Sequence, residues 1–392
     1  MKNESQREKI FWENKAFWLL FLLNFLSFSS HAALNTLPVY LAKKGFSRSF
    51  TGLFMNIHVF GLVLFVVFLL PLVERVGKKR MMVFSYGLEL FAYFGMFVGA
   101  WDMRLLVGFR VLSALSYAVG FTVNAALAFD VLPPEKRTGG IALFGISGIL
   151  SNPFCAWMGQ FFVTGFPRGL FLLGALLTLF ALSLVFFVEE KSHTKDEYQA
   201  KHLFDVLKRK DLWEEFLLAM VLGGAFGTLA TFVPLQTMER LGASFLTVYF
   251  VAYSLTAIGC RFFFSPEMDR FSSEKLLLMG FALVFFAMGN MAILLTKIQV
   301  VFTGILYGVG HTILYPVLSA LVVKQSQEGE KYITNSVFIG FYTLGGFVFP
   351  SGLGVVGDWL STKSIFWGMA IGAGVAFLWL LMGRKREEKI FN

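Results

Sequence analysis

Apolar residues in this 392-residue chain come in long blocks separated by short charged punctuation. Twelve blocks approach the length a bilayer-crossing helix needs, about 20 mainly apolar residues. They cover 16–42, 49–73, 81–100, 103–129, 139–163, 167–188, 212–236, 244–264, 276–296, 299–323, 333–357 and 364–383, spans 1 to 12. Transmembrane strands would be about ten residues long and would alternate apolar with polar positions. Runs such as Phe17–Phe28 and Leu276–Phe286 do not alternate. The pattern therefore predicts an all-α membrane protein of twelve helices.

Composition narrows the class further. Hydrophobic residues make up 56% of the chain and charged residues 15%, against roughly 45–50% and about 25% for soluble proteins. A soluble protein of this length could not bury the 48 Phe in its core. A soluble enzyme, a disordered chain and a nucleic-acid binder are excluded. The net charge of +9 has a membrane explanation. With the N-terminus inside, cytoplasmic segments hold 24 of the 34 Lys and Arg, outward gaps together with the outer span ends at Arg104 and Arg168 hold 8, and Arg110 and Arg261 lie deeper within spans. Under the positive-inside rule this places both termini in the cytoplasm, in a bacterial cytoplasmic membrane. Lys9, Lys15, the run Phe17–Phe28 and Ser30-His31-Ala32 could pass for a signal peptide. The apolar run continues to Leu41, however, and its removal would delete one member of an internal repeat. Cys155 and Cys260 fall inside spans and read as small apolar residues.

The repeat rests on one offset shared by three unlike features. Pro38 and Pro234 are 196 residues apart, Glu74-Arg75 and Asp269-Arg270 are 195 apart, and Pro153 and Pro350 are 197 apart. The expected organisation is a six-helix bundle over 1–188, a charged cytoplasmic linker over 189–211 and a second bundle over 212–392. Parallel repeats flanking a midplane site are a transporter architecture.

Between spans 2 and 3 the chain reads Leu72-Val73-Glu74-Arg75-Val76-Gly77-Lys78-Lys79-Arg80. This resembles the signature loop of the major facilitator superfamily, Gly-x-Leu-Ala-Asp-Arg-x-Gly-Arg-Lys, with Glu74 for Asp and Leu70 for the first Gly. Met268-Asp269-Arg270 is similar to the degenerate second copy the family carries. Leu106-x-x-x-Arg110-x-x-x-Ala114 in span 4 resembles the family's Arg-x-x-x-Gly element, and Asp130-x-x-Pro133-x-x-x-Arg137 the link into span 5. Gly148-x-x-x-Asn152-Pro153-x-x-Ala156-x-x-Gly159 looks like the Gly-Pro-x-x-Gly-Gly element of proton-driven exporters, two of its glycines being replaced. The resemblance implies two pseudo-symmetric bundles, alternating access, and gating or interface roles for Glu74, Arg75, Gly77, Lys78, Asp130, Arg137, Asn152, Pro153, Asp269 and Arg270. It also implies that spans 1, 4, 7 and 10 line the substrate path.

Those four spans carry polar stripes. Span 1 has Asn24, Ser27, His31 and Asn35; span 4 has Arg110, Ser113, Tyr117 and Asn124; span 7 has Thr228 and Thr231; span 10 has Tyr307, His311, Tyr315 and Ser319. Polar faces cannot point at lipid without cost, so they line a cavity or bond between helices. Intramembrane charge is a functional hypothesis by default. His31 and His311 could carry a transported proton, since imidazole titrates near pH 6.5 when unperturbed. Glu89, the one carboxylate near the middle of a span, is either a proton-coupling group or a structural partner of Arg110. The absence of an acid at the centre of spans 1, 4, 7 and 10 favours neutral, zwitterionic or anionic solutes over organic cations.

No phosphate-binding Gly-x-x-x-x-Gly-Lys-Ser/Thr loop occurs, and no His/Cys cluster has metal-ligand spacing, so neither cofactor nor metal is expected. Ser27 with His31 lacks an orienting acid, which argues against a membrane hydrolase. The reading is a monomeric secondary carrier of a small organic solute with protons as the coupling ion, proton-coupled efflux being favoured. The alternatives are symport or facilitated uptake of a sugar, organic acid or amino acid, and more remotely a channel or sensor.

Overall fold

The computed structural model describes residues 14–59, 61, 73, 75–99, 102–132, 137–190, 201–242, 245–263, 271–327 and 331–390. Helices alone build these residues: α1 (Lys15–Ala32), α2 (Leu37–Lys43), α3 (Arg48–Asn56), α4 (Lys78–Gly99), α5 (Met103–Val131), α6 (Arg137–Gly165), α7 (Gly169–Val185), α8 (Lys201–Lys208), α9 (Trp213–Leu241), α10 (Val248–Phe263), α11 (Ser273–Ala292), α12 (Lys297–Gln325), α13 (Lys331–Trp359) and α14 (Thr362–Ile390). Spans 3 to 6 are α4 to α7, and spans 7 to 12 are α9 to α14. Span 2 begins as α3, and its residues 60, 62–72 and 74 lie outside the described ones. Eight helical segments among the described residues are long and apolar enough to cross a membrane, Lys15–Lys43 (α1 to α2) counting as one, with α7 and α10 as shorter apolar helices.

Span 1 is not the single helix that its unbroken apolar run predicts. A 3-10 turn, Ala33–Thr36, separates α1 from α2. Pro38 stands in the first turn of α2, where its missing N–H costs nothing and its fixed φ suits a helix start. In a continuous helix the same ring would clash with the carbonyl four residues back. The linker also gains an element, the short helix α8.

Two compact units result. One gathers α1, α4, α5, α7 and most of α6; the other gathers α2, α3, the end of α6 and α8 to α14. In the first, Phe17, Leu20 and Leu23 of α1 pack with Met82 and Tyr86 of α4, Val119 and Val123 of α5, and Ala181 and Val185 of α7. Helix α4 shows how burial is inverted relative to a soluble protein. Phe84, Phe91, Phe94 and Val98 face outward while Ser85 and Glu89 are buried, the arrangement that lipid as solvent demands.

In the second unit α9 and α13 meet along glycines. A Cβ on Gly223 would lie 1.7 Å from the Tyr342 carbonyl oxygen, and one on Gly345 would lie 1.8 Å from that of Met220. Small residues of this kind let membrane helices approach backbone to backbone, where van der Waals contact replaces the missing hydrophobic drive.

At the start of α4, Gly77 has φ +101°, a conformation that costs an L-residue on the order of 1–2 kcal/mol. The turn aims the free N–H groups of Lys78 and Lys79 at the Glu190 carboxylate, at 2.7 and 3.2 Å. Gly77→Ala is expected to destabilise the protein by about that 1–2 kcal/mol, read as a lower melting temperature in detergent. An unchanged melting curve would contradict the assignment.

Candidate functional site

Glu89 comes from the middle of α4 and is 1% exposed. Its Oε1 accepts a hydrogen bond from the Ser30 hydroxyl at 2.7 Å and faces His31 Nδ1 at 3.2 Å. The same Nδ1 stands 3.2 Å from the Ser27 carbonyl oxygen. Both of those oxygens are acceptors while Glu89 is ionised, so Nδ1 is the nitrogen that bears hydrogen. Glu89 Oε2 is enclosed and has no hydrogen-bond partner among the described residues, although the side chains of Ser116 and Thr178 are beside it.

Aromatic and basic groups complete this cluster. The Tyr93 hydroxyl donates to the Ser30 carbonyl oxygen at 2.7 Å, and the Tyr117 ring lies 4.1 Å from the imidazole of His31, centroid to centroid. Arg110 is buried on α5, donates to the Ser113 hydroxyl at 3.2 Å, and acts electrostatically on Glu89. The structure thus brings together His31, Glu89, Arg110, Ser113 and Tyr117, which are scattered over three spans. The arrangement can hold a proton on a carboxylate that has a hydroxyl and an imidazole in hydrogen-bond reach.

Other polar stripe residues of this unit bond between helices. Asn24 of α1 donates to the Ser147 hydroxyl of α6 at 2.7 Å, and Asn124 of α5 donates to the Tyr86 hydroxyl of α4 at 2.8 Å. Ser27 is buried one turn before His31. Asn35 lies in the 3-10 turn, away from α1 proper.

A second cluster surrounds His311 on α12. Its Nε2 is 3.0 Å from the Tyr342 hydroxyl and its Nδ1 is 3.4 Å from that of Tyr253. The rings of Tyr307, Phe226, Tyr315, Tyr253 and Tyr342 stand 5.5–6.1 Å from the imidazole. Tyr307 is fully buried, and its hydroxyl has no hydrogen-bond partner among the described residues. Thr228 is likewise buried without one, whereas Thr231 accepts from the Asn56 amide at 3.0 Å. Ser319 donates to Asn335 at 2.8 Å. Ring faces and hydroxyl edges therefore enclose the imidazole of His311.

The motif residues are distributed as follows. Arg75 is exposed, Lys78 pairs with Asp130 at 2.6 Å, and Glu190 accepts from the first backbone N–H groups of α4. Glu74, Asp269 and Arg270 lie outside the described residues, as does the side chain of Arg137. Asn152 and Pro153 sit within α6, whose Gly148 packs against the Phe28 ring of α1.

Ser30, Tyr253, Phe226 and Tyr342 of these clusters, and Glu190 at the start of α4, were not among the candidate site residues read from sequence. Ser30 had a signal, since it adjoins His31 in a polar run. Tyr253 and Tyr342 had none that sets them apart from the chain's 11 Tyr and 48 Phe. Among the described residues no group of three or more His, Cys, Asp or Glu converges to hold a metal.

Comparison with known proteins agrees with this architecture. The model for the Major Facilitator Superfamily matches residues 17–296 and 248–392. The staphylopine export protein of Staphylococcus aureus (strain Mu50 / ATCC 700699) is 22% identical over 375 residues, 89% of this chain and 91% of that protein. A probable sugar efflux transporter of Helicobacter pylori (strain HPAG1) is 23% identical over 318 residues, 76% of this chain and 80% of that protein. Among solved structures, the nucleoside transporter NupG superposes with a TM-score of 0.81 at 13% identity, covering 94% of this chain and 98% of its own. A POT family transporter in complex with 5-aminolevulinic acid gives 0.76 at 13% identity, covering 94% and 95%. At that identity the likeness is one of fold.

Proposed function

This chain belongs to the Major Facilitator Superfamily, and we propose that within it the protein is a monomeric, proton-coupled exporter of a small organic solute. It works by alternating access in a bacterial cytoplasmic membrane, with both termini inside. The observation that carries the proton coupling is Glu89: a carboxylate 1% exposed within a span, with an enclosed, unpartnered Oε2. Intramembrane carboxylates so placed mark proton relays.

In this mechanism Oε2 takes the proton. When Glu89 is ionised, the Ser30 hydroxyl and the His31 Nδ1–H both bond Oε1. A proton on Oε2 removes the charge those two donors answer, and with it the pull on Arg110. The charge change is local, and α1, α4 and α5 all feel it. One proton moves inward for each transport cycle while the solute moves out. The cluster of His311, Tyr307, Tyr315, Tyr253 and Tyr342 contacts the solute through ring faces and hydroxyl edges, with Thr228 contributing a further hydroxyl. Efflux is supported by the relatives, two of which carry export or efflux in their names.

The test uses everted membrane vesicles, acidified inside and reporting the pH gradient by acridine orange. Neutral sugars and staphylopine, the two solutes that the relatives' names print, are added outside. Proton-coupled export predicts dequenching, because protons leave as solute enters the everted lumen. Solute entry that instead deepens the quench, protons moving with the solute, would establish symport and overturn the proposed direction.

A further inference from the structure

Arg261 of α10 belongs to none of the groups described above, and its depth follows from the contact between α10 and α12. A Cβ on Gly304 would lie 2.7 Å from the Cβ of Ala252, and one on Gly308 would lie 2.9 Å from that of Thr256. One four-residue step on α12 is matched by one on α10, so the two helices run side by side in the same direction with a constant offset. That offset sets Arg261 level with Ile313. Helix α12 has 29 residues, Lys297–Gln325, and His311 is at its centre. Arg261 is therefore at mid-depth, about 3 Å along the axis from the level of His311 and about 18 Å from that of Gln325. A long cationic side chain near a span end can stretch to the headgroups. One at mid-depth has no such route.

The charge of Arg261 is directed at the aromatic cluster. Tyr253, Ala257 and Arg261 follow at successive i+4 steps on α10, and the first two are buried. Arg261 acts electrostatically on Tyr253, His311 and Tyr315. It is only partly exposed, and among the described residues it forms no ion pair and no hydrogen bond. Helices α10 and α12 contain no acid. The acids of the helices packed against α12 stand at helix ends: Glu214 and Glu215 in the first turn of α9 and Glu239 in its last, Glu274 in the first turn of α11, and Asp358 in the last turn of α13. A charge at this depth is costly unless it is paired. The cluster around His311 is thus short of one negative charge.

We propose that Arg261 binds a carboxylate of the solute, and that the transported class is a small organic acid or zwitterion with one carboxylate at that end. A guanidinium presents paired N–H donors that match the two oxygens of a carboxylate. The ring faces of Tyr253, Tyr307 and Tyr315 take the apolar or planar part of the same molecule. The buried Tyr307 hydroxyl, without a hydrogen-bond partner among the described residues, offers it one. One cation balances one carboxylate, whereas a phosphate monoester, with close to two negative charges, would leave buried charge uncompensated. The assignment rests on the carrier reading above and names the class of solute for that carrier.

The experiment uses the purified full-length protein in detergent. Its melting temperature is titrated with phenylpropionate, phenylpropionamide and phenylpropylamine, which share a ring and chain and differ in charge, since binding stabilises the folded state by mass action. The carboxylate is expected to bind about tenfold or more tightly than the amide and the amine, the factor of one hydrogen bond to a charged group. That preference is expected to vanish in Arg261→Met. Arg261→Lys, which keeps the charge without the paired donors, is expected to retain a reduced preference. Without any solute, Arg261→Met is expected to melt higher than the unsubstituted protein, because it removes an uncompensated charge; loss of a structural ion pair would have the opposite sign. A lower melting temperature in Arg261→Met, or a carboxylate preference that is absent from the unsubstituted protein or survives in Arg261→Met, would overturn the assignment. Carboxylate-selective binding that is lost with Arg261, together with protons that move with the solute in the everted vesicles, would leave the solute class standing and remove the export reading instead.

Discussion

Glu89→Gln is expected to reduce pH-gradient-driven solute movement in proteoliposomes to background, while solute-for-solute exchange continues. Glutamine keeps the size of the side chain and an oxygen that can accept from Ser30, but it cannot take up and release a proton. The comparison that decides between coupling and scaffolding is stability. If Glu89 served only as an electrostatic partner for Arg110, its neutralisation would leave a buried charge uncompensated, which typically costs about 3–5 kcal/mol. The yield of folded protein would then fall, and the molecules that did fold would still respond to the gradient. A coupling role predicts the reverse: a stability loss of about 1.5–3 kcal/mol, the scale of one hydrogen bond to a charged group, with the gradient response gone. Retained gradient-driven transport in a well-folded Glu89→Gln protein would remove the proton from this residue.

The second large effect concerns stability alone. Gly345→Val is expected to abolish the accumulation of folded protein, measured by size-exclusion chromatography of detergent extracts. Its Cβ would meet the Met220 carbonyl oxygen at 1.8 Å, just as the Cβ of a substituted Gly223 would meet the Tyr342 carbonyl oxygen at 1.7 Å. The obstacle is backbone in both cases, so no rotamer change relieves it and α9 must move off α13. Overpacking of a well-filled site costs about 1–3 kcal/mol even where side chains can adjust, and here they cannot. Gly340 lies on the same helix, and a Cβ there would have nothing within 4 Å. Gly340→Ala is therefore the control, and it is expected to leave the melting temperature unchanged or raise it slightly, alanine being the better helix former by about 1 kcal/mol. Equal behaviour of the two variants would mean that the seam is not tight.

The spans were legible because lipid imposes a length and forbids alternation, and α4 to α7 and α9 to α14 fall where the apolar blocks do. The break in span 1 was not legible. Pro153, Pro234, Pro316 and Pro350 all sit inside continuous helices, so a proline in an apolar block does not by itself announce an end. His31, Glu89 and Arg110 stood out singly as polar exceptions in an apolar chain. Their assembly did not, because Ser30 and Glu89 are 59 positions apart and nothing local records that α1 and α4 face each other. Asp358 was invisible for the opposite reason. An acid at the watery end of a span is ordinary, and the value of Asp358 lies in what tertiary packing brings to it: the backbone N–H groups of Arg48 and Ser49 and the Ser49 hydroxyl.

The 3-10 turn Ala33–Thr36 has a mechanical consequence. On one side of it, within a turn of helix, are Ser30 and His31 of the carboxylate cluster; on the other, α2 leads into the loop that delivers Arg48 to Asp358. A 3-10 helix rises about 2.0 Å and turns about 120° per residue, against about 1.5 Å and 100° for an α-helix. Rewinding these four residues as α-helix would shorten the chain between the two places by about 2 Å and twist one end against the other by roughly 80°. A quarter-turn of that size is enough to carry a side chain from one neighbouring helix to the next. The short turn is thus where the winding of span 1 can change while the backbone hydrogen bonds of α1 and α2 stay intact.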